Sequence, residues 1–219
     1  MTRVLAVSDI HGRLDVYKKI ASAERDAEVI MIAGDVTPYG GGNARELLEA
    51  IAEEAEGRLV LAVPGNVDDP YDFDGVAGVV NLHGRSAKLK DLTVVGVGGS
   101  PPTPFFTINE IPEDEIETLL RNAIMAAGPI EKLVVLSHAP PYGTRVDVIS
   151  SGDNVGSHAV RAVIEEFKPV LCICGHIHEA RGVDTLGSTV IVNPGPAARG
   201  YYAVIKLAGD SITPKLKRV

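Results

Sequence analysis

Short runs of apolar residues recur along the chain, separated by stretches that mix polar and apolar positions. The runs are rich in Val, Ile and Leu, and most of them are continuous rather than alternating. Continuous runs of this length predict β-strands that are buried on both faces. The runs cover residues 4–7, 29–33, 59–63, 92–97, 133–137, 170–174, 189–192 and 202–207.

The stretches between these runs contain helical patterns. Asn43 is a candidate N-cap with Glu46 three residues later, as in a capping box, and the apolar positions that follow form one stripe. Another pattern begins at Ser157 and stops before Pro169. The predicted helices lie within residues 14–25, 43–57, 114–129 and 157–169.

Strand and helix patterns alternate, which predicts an α/β fold with a largely parallel sheet. The 219 residues suffice for one substantial core, so we expect a single domain over residues 1–219. Two irregular segments, residues 98–112 and 139–157, are long for loops of a compact domain. We interpret them either as a lid over a functional cleft or as a subunit contact.

Polar residues with coordinating side chains follow five of the predicted strands. Because ligands of an open α/β sheet bind beyond the carboxyl ends of its strands, these residues predict one shared metal site. The spacings D-x-H and H-x-H place both side chains of each pair on the same side of an extended segment. The residues are Asp9, His11, Asp35, Asn66, Asp68, His138, His176 and His178.

The residue types indicate which metals such a site would take. Imidazoles and carboxylates suit Zn, Mn, Fe, Co or Ni, and the lack of thiolates in the set argues against a structural zinc cluster. Cys172 and Cys174 lie inside an apolar run and are predicted to be buried core residues. Seven candidate ligands are too many for one ion, so we expect two divalent ions that share a carboxylate. The seven are Asp9, His11, Asp35, Asn66, His138, His176 and His178.

The order of the motifs D-x-H, G-D, G-N, H and G-H-x-H, from residue 9 to residue 178, resembles the calcineurin-like metallophosphoesterase superfamily. The segments GGSPPTPF and HAPPYGT are similar to those of small stand-alone prokaryotic phosphoesterases within it. The resemblance implies a four-layer αββα sandwich in which helices flank two packed mixed sheets. It also implies a dinuclear-metal hydrolase of phosphate esters, with a hydroxide between the two ions as the nucleophile.

The resemblance further implies how the ligands are divided. One ion would be held by Asp9, His11, Asp35 and His178. The other would be held by Asp35, Asn66, His138 and His176, with Asp35 as the bridge. The predicted catalytic residues are Asp9, His11, Asp35, Asn66 and His138. Asn66 and Arg145, which lies in the loop after His138, are the predicted substrate contacts.

One position departs from the family pattern. Many members of the superfamily carry G-N-H-[DE], whose histidine is thought to protonate the leaving group, whereas this chain has Gly65-Asn66-Val67-Asp68. Valine cannot donate a proton, so the chain lacks a general-acid histidine there. We therefore expect a phosphodiesterase that acts on a small diester or a nucleotide. In the alternative interpretation another group supplies the proton and Val67 only packs.

The net charge and the retained metal-ligand residues bear on the alternative activities and partners. A phosphomonoesterase or a nuclease of the same superfamily is the alternative enzyme, but the net charge of −8 disfavours nucleic acid and anionic membranes as partners. A non-catalytic interaction subunit would be expected to lose ligands, and this chain retains all of them. With no secretory signal or span recognised, we expect a cytoplasmic protein, and a homodimer is the default expectation.

Overall fold

The computed structural model describes residues 1–209 and 211–219. The four predicted helices are confirmed in this part of the chain. Asn43 caps the second helix by accepting a hydrogen bond from the amide of Glu46, and Ser157 caps the fourth by accepting one from the amide of Val160. The helices are α1 (Leu14–Ala23), α2 (Ala44–Glu54), α3 (Glu113–Ala126) and α4 (His158–Phe167).

Twelve strands are present in the described residues, and eight of them lie on the predicted apolar runs. The strands are β1 (Thr2–Val7), β2 (Val29–Ala33), β3 (Leu59–Val63), β4 (Val79–Asn81), β5 (Arg85–Leu89), β6 (Leu92–Val97), β7 (Lys132–Ser137), β8 (Leu171–Ile173), β9 (Gly182–Leu186), β10 (Thr189–Asn193), β11 (Tyr201–Ala208) and β12 (Ser211–Arg218). The four that the runs did not predict are β4, β5, β9 and β12, and these are the four edge strands of the sheets.

The strands form two mixed sheets of six strands each among the described residues, in the orders β12-β11-β1-β2-β3-β4 and β5-β6-β7-β8-β10-β9. In the first sheet β1 to β4 are parallel, β11 runs antiparallel to β1, and the edge strand β12 runs antiparallel to β11. In the second sheet β6, β7, β8 and β10 are parallel, and β5 and β9 close its edges in the antiparallel direction. The largely parallel character was predicted, but the sheet order was not.

Three apolar cores separate four layers. Alternate residues of β2 belong to two of these cores. Ile30 and Ile32 pack in the core beneath α1 and α2, while Met31 packs in the core between the two sheets. The third core lies between the second sheet and helices α3 and α4, where Leu120 and Val163 are fully buried. Burial on both faces explains why the central strands are continuous apolar runs. The arrangement confirms the four-layer αββα sandwich.

The carboxyl ends of the two sheets meet at one end of the sandwich. His138, which follows β7 in the second sheet, has its ring Nδ1 2.7 Å from the carbonyl oxygen of Ala33, which ends β2 in the first. The backbone of the second sheet is tied together there as well, because Gly175 donates an amide hydrogen bond to the carbonyl of His138. Side chains that follow strands of either sheet are thereby brought to one place.

A helix that crosses a membrane must be long and apolar. Among residues 1–209 and 211–219, no helix is both long enough and apolar enough to cross a bilayer.

Candidate metal centre

The predicted ligands form two adjoining clusters. In the first, His178 Nε2 lies 3.2 Å from Asp9 Oδ1 and 3.3 Å from His11 Nε2. In the second, His138 Nε2 lies 2.9 Å from Asn66 Oδ1. The His176 ring belongs to the second cluster, since its centroid is 5.0 Å from that of His138. Side chains from the ends of five strands therefore face one small volume.

Asp35 lies between the two clusters and faces both. Its Oδ2 atom is 3.9 Å from His11 Nε2, and its Oδ1 atom is 3.5 Å from His138 Nε2. Two sets of ligand atoms lie within metal-binding distance of one another: Asp9, His11 and His178 form one, and Asp9, Asp35 and His138 form the other, so Asp9 belongs to both sets and Asp35 to the second. A carboxylate with one oxygen toward each cluster has the geometry that a bridging ligand needs.

The backbone at this site adopts a conformation that most side chains avoid. Asp9, His11, Asp35 and His176 have φ angles of 55°, 45°, 52° and 65°. They are four of the eight non-glycine residues with positive φ in the described part of the chain. Such angles cost free energy and persist only where the surrounding structure imposes them, which is common at functional sites. The turns after β1, β2 and β8 thus direct the candidate ligand side chains toward one another at some cost to the backbone.

Two histidines are oriented by backbone carbonyls. His11 Nδ1 lies 3.1 Å from the carbonyl oxygen of Thr37, and His138 Nδ1 lies 2.7 Å from that of Ala33. A ring nitrogen facing a carbonyl must carry the proton, so we assign the Nδ1–H tautomer to both. The Nε2 lone pair of each ring then points into the cluster, as it does in metal-ligating histidines.

Asn66 is oriented through a chain of hydrogen bonds. Its Nδ2 atom donates to Thr107 Oγ1 at 2.9 Å, and Thr107 donates to Glu110 Oε1 at 2.7 Å. Glu110 also accepts hydrogen bonds from the amides of Thr103 and Thr107. With its NH₂ group engaged in this way, Asn66 turns its carbonyl oxygen toward His138. The 98–112 segment is therefore part of the site's support.

The electrostatics of the two carboxylates favour a bound cation. Asp9 and Asp35 are almost fully buried, with exposures of 1% and 3%. Burial, together with the charges of Asp9 and Asp68, raises the pKa of Asp35 to about 7. Burial acts in the same direction on Asp9, but His178 and His138 overcome it and lower its pKa. Asp9 Oδ1 is buried and accepts no hydrogen bond of regular geometry from the described residues, although His178 Nε2 lies 3.2 Å from it.

The imidazoles complete a donor set that fits divalent metal ions. Burial lowers the pKa of His176 to about 3 and also lowers that of His11, so both rings are neutral at physiological pH. Neutral imidazoles and ionised carboxylates are the ligand forms that bind first-row metals. An acceptor atom left without a hydrogen bond, two buried carboxylates and neutral imidazoles fit a metal better than they fit an apolar core.

Asp68 has a different role from its neighbours in the sequence. It is fully buried and accepts hydrogen bonds from the amides of Val36, Thr37 and Gly65 and from the Thr37 hydroxyl. It thereby joins the turn after β2 to the turn after β3, and it is absent from both of the geometric ligand sets. Val67, beside it, is 6% exposed, and its amide donates to Asp35 Oδ1 at 3.1 Å.

The two arginines near the predicted site differ in their surroundings. Arg145 forms an ion pair with Asp184 at 3.0 Å, and its side chain is 80% exposed. Arg199 lies in the 3₁₀ turn Ala197–Arg199, in which the amide of Ala198 donates to the carbonyl of Asp9. That turn is attached to a ligand-bearing segment. The role of Arg145 as a substrate contact stays a prediction, and Arg199 is the better placed of the two.

Tyr39 was missed by the sequence analysis. Its ring stacks on that of His11 with centroids 4.2 Å apart, and its side chain is largely exposed. Burial, Asp35 and Asp9 raise the pKa of its hydroxyl to about 12, whereas the charge of Arg199 acts in the opposite direction. The available signal was its position, four residues after Asp35 at the carboxyl end of β2. Thr107 and Glu110 carried no comparable signal.

Acid is expected to loosen the 98–112 segment through Glu110. Burial would raise the pKa of Glu110, but the hydrogen bonds from Thr103 and Thr107 lower it from 4.5 to about 2. Because the pKa is lowered in the folded state, the stabilisation is fully present above pH 4.5 and is lost as the pH falls toward 2. Melting temperatures of the wild type and Glu110→Gln should therefore differ most at pH 6, and the difference should narrow as the pH falls from 4.5 toward 2.

The control for that comparison is Glu49→Gln, at an exposed position of α2. Its difference from the wild type should not follow the same course with pH. A difference between the wild type and Glu110→Gln that stays constant from pH 6 to pH 3 would contradict the role of Glu110.

The sequence and the fold of this chain are similar to those of several known proteins. The family model described as calcineurin-like phosphoesterase matches residues 2–180. An uncharacterized protein of Methanocaldococcus jannaschii is 35% identical over 205 residues, which cover 91% of each chain. A crystal structure of the Thermus thermophilus protein TT1561 superposes with a TM-score of 0.75 at 20% identity, covering 98% of each chain. A structure described as an archaeal phosphodiesterase gives a TM-score of 0.54 at 14% identity, covering 99% of this chain and all of the other.

Proposed function

The chain belongs to the calcineurin-like phosphoesterase family, and on that premise we propose that it is a dinuclear-metal phosphodiesterase acting on a small diester or a nucleotide. Membership supports a metal-dependent phosphoesterase in general terms. The number of metal ions, the preference for diesters and the residues that carry the reaction are the content of the proposal. The proposal depends most on the position of Asp35, whose two carboxylate oxygens face His11 in one cluster and His138 in the other.

The proposed ligands are the seven predicted from the sequence. One ion would contact Asp9, His11, Asp35 and His178, and the other would contact Asp35, Asn66, His138 and His176. Two divalent ions bound there would supply a water of lowered pKa and positive charge for the phosphate oxygens. Mn, Fe, Zn, Co and Ni all suit this donor set.

The chain's own residues would orient the ester and stabilise its charge. Asn66 is held by Thr107, so its carbonyl oxygen keeps one orientation toward the ion that it would help to hold, and that ion would carry the phosphate. Arg199 is attached to the Asp9 segment and could contact a phosphate oxygen from that side. We favour Arg199 over Arg145 for this role because Arg145 already pairs with Asp184.

The preference for diesters is inferred from the absence of a side chain at position 67 that could protonate the leaving group. Val67 stands where a general-acid histidine occurs in many members of the superfamily, and its side chain cannot donate a proton. General-acid assistance is typically worth ~10²–10⁴-fold. Without it, the enzyme should act best on esters whose leaving groups are stable as anions.

The proposal is tested by reconstituting the metal-free protein with Mn, Fe, Zn, Co or Ni separately. Hydrolysis of bis-p-nitrophenyl phosphate, p-nitrophenyl phosphate, cyclic nucleotides, head-group diesters, DNA and RNA would then be compared. We expect activity that requires about two ions per chain and favours small diesters over the monoester by about tenfold or more. A preference for the monoester or for nucleic acid would replace the proposed activity with another of the same family. Inactivity with every metal would refute it.

Val67→His is expected to raise turnover of alkyl phosphate diesters more than turnover of nitrophenyl diesters. The new imidazole could protonate an alkoxide, which needs the proton, whereas nitrophenolate leaves without one. We expect an increase of about tenfold for alkyl esters and of less than about threefold for nitrophenyl esters, measured as kcat.

The matched control is Val67→Gln, which introduces a polar side chain of similar length that does not titrate as an acid. It should leave the ratio of alkyl to nitrophenyl turnover unchanged. Equal increases for both ester types in Val67→His would count against a leaving-group role for this position.

A further inference from the structure

A cleft of about 580 Å³ opens beside the metal centre, and we refer to it as the His178 cleft. His176 and His178 form its inner end. The two irregular segments of the chain form its sides, with Phe105 and neighbouring prolines on one side and Ile149 and Val155 on the other. A volume of this size holds a small organic molecule. A phosphate bound at the metal centre would therefore have room for an attached group in this cleft.

The walls of the cleft are largely apolar, and the wall formed by the 98–112 segment is held in place. Pro101, Pro102 and Pro104 restrict the backbone of the 98–112 segment. Glu110 holds the same segment through four hydrogen bonds to Thr103 and Thr107. The apolar surface is thus largely preformed, so little ordering cost should accompany binding.

The charges along the cleft distinguish it from a site for a polyanion. Among the described residues that line it, none is a lysine or an arginine. The one carboxylate in this lining is Glu179, whose Oε1 atom accepts hydrogen bonds from the amide and the hydroxyl of Ser150 at 3.2 and 3.1 Å. Beyond the metal centre, a second anionic group on the substrate would meet this carboxylate and no lysine or arginine of the lining. An uncharged group would bury apolar surface at no such cost.

We propose that the His178 cleft binds an uncharged aromatic or apolar group of the phosphate ester and discriminates against esters that carry a second anionic group. This inference rests on the proposed function, because the metal centre must hold the phosphate. It narrows the substrate class to esters of uncharged aromatic or apolar alcohols. Nucleotides with further phosphates and carboxylated esters are disfavoured.

The test uses phosphonates, because each has a single substituent that must occupy either the cleft or the solvent. Dissociation constants of methylphosphonate, phenylphosphonate and 4-carboxyphenylphosphonate would be measured by calorimetry on the full-length, manganese-loaded protein. Phenylphosphonate should bind about tenfold or more tightly than methylphosphonate, since its ring is buried in the cleft. The 4-carboxyphenyl compound should bind about tenfold more weakly than the phenyl compound.

Two exposed neighbours provide a matched pair of variants. The side chains of Phe105 and Phe106 are 80% and 88% exposed, so neither truncation threatens the fold, but Phe105 lines the cleft and Phe106 does not. Phe105→Ala should reduce the preference for phenyl over methyl to less than about threefold. Phe106→Ala should retain it. Glu179→Gln should bring the affinity for 4-carboxyphenylphosphonate to within about threefold of that for phenylphosphonate.

The possible outcomes distinguish a failure of the cleft assignment from a failure of the proposed metal centre. Equal affinities for methyl- and phenylphosphonate, or equal effects of the two phenylalanine variants, would overturn the assignment of the cleft while leaving the metal centre intact. Failure of all three phosphonates to bind would count against the proposed function, and the inference would fall with it. Tighter binding of the 4-carboxyphenyl compound than of the phenyl compound would overturn the charge argument.

Discussion

Replacing Asp35 with asparagine is expected to reduce the bound metal from about two ions per chain to one or fewer, and to lower turnover of bis-p-nitrophenyl phosphate by about 10³-fold or more. Asp35 has one oxygen toward each cluster, so its charge would be shared by both ions. The variant keeps the shape of the side chain and removes the charge. Metal content by elemental analysis and steady-state kinetics would measure the two effects.

The stability of the Asp35→Asn variant distinguishes two roles for Asp35, that of a metal ligand and that of a carboxylate that stabilises the fold. Burial and the nearby Asp9 and Asp68 charges raise the pKa of Asp35, which means that its charge is unfavourable without a cation. The metal-free variant should therefore melt no lower than the metal-free wild type. Saturating metal should stabilise the wild type by a few kcal/mol, about 2.7 kcal/mol at 100 times Kd, and the variant by less.

An exposed acid serves as the control for that experiment. Asp15→Asn, on α1, removes a carboxylate that pairs with Arg13 on an outer helix. Metal content and turnover should stay at wild-type values in this variant. If Asp35→Asn also kept two ions per chain, the bridging role would be refuted.

Replacing Gly65 with alanine is expected to disrupt the metal centre as severely as the loss of a ligand. A Cβ atom at residue 65 would lie 1.9 Å from Asp35 Oδ1 and 2.2 Å from the Asp35 amide nitrogen. The amide nitrogen cannot move without displacing the turn after β2, and the oxygen cannot move without taking the carboxylate from its place between the two clusters. We expect a loss of about 1–3 kcal/mol in the free energy of unfolding, from overpacking. Metal content and turnover should fall together because Asp35 is the residue displaced.

Gly182→Ala, on β9, is the matched control. A Cβ atom there would meet Val146 at 3.5 Å, an ordinary van der Waals contact, and no positive φ is recorded for this glycine. Denaturant unfolding should place this variant within about 1 kcal/mol of the wild type. A Gly65→Ala protein with unchanged metal content would mean that the turn after β2 adapts without moving Asp35, contrary to our expectation.

The strands that the sequence predicted share one physical property. The central strands are buried on both faces, and burial on both faces selects a continuous apolar run that can be recognised without any knowledge of the partner strands. The four edge strands, β4, β5, β9 and β12, are half-exposed and carry polar residues such as those of SITPKLKR in β12. Whether such a segment forms a strand depends on the strand beside it, and the apolar pattern of the sequence does not reveal which strand that is.

The convergence of the candidate ligand side chains was predictable for a related reason. Each follows a central strand, so its approximate location could be inferred from the rule that parallel strands present their carboxyl ends at one edge. The residues that orient the ligands could not be found in this way. Thr107 and Glu110 reach Asn66 from a loop about forty residues further along the chain, and no periodicity in that loop indicates the contact.

By itself, the sequence determined the four helices, the eight strands on apolar runs, the types of the candidate ligands and the presence of valine at position 67, because these depend on residue type and on local spacing. Only the tertiary structure decided how the twelve described strands divide between two sheets, that Asp35 faces both clusters, that Asp68 is structural, and that an apolar cleft with one carboxylate adjoins His178. These features depend on contacts between segments far apart in the chain. Such contacts are selected by the packing of whole layers, which no short stretch of residues encodes.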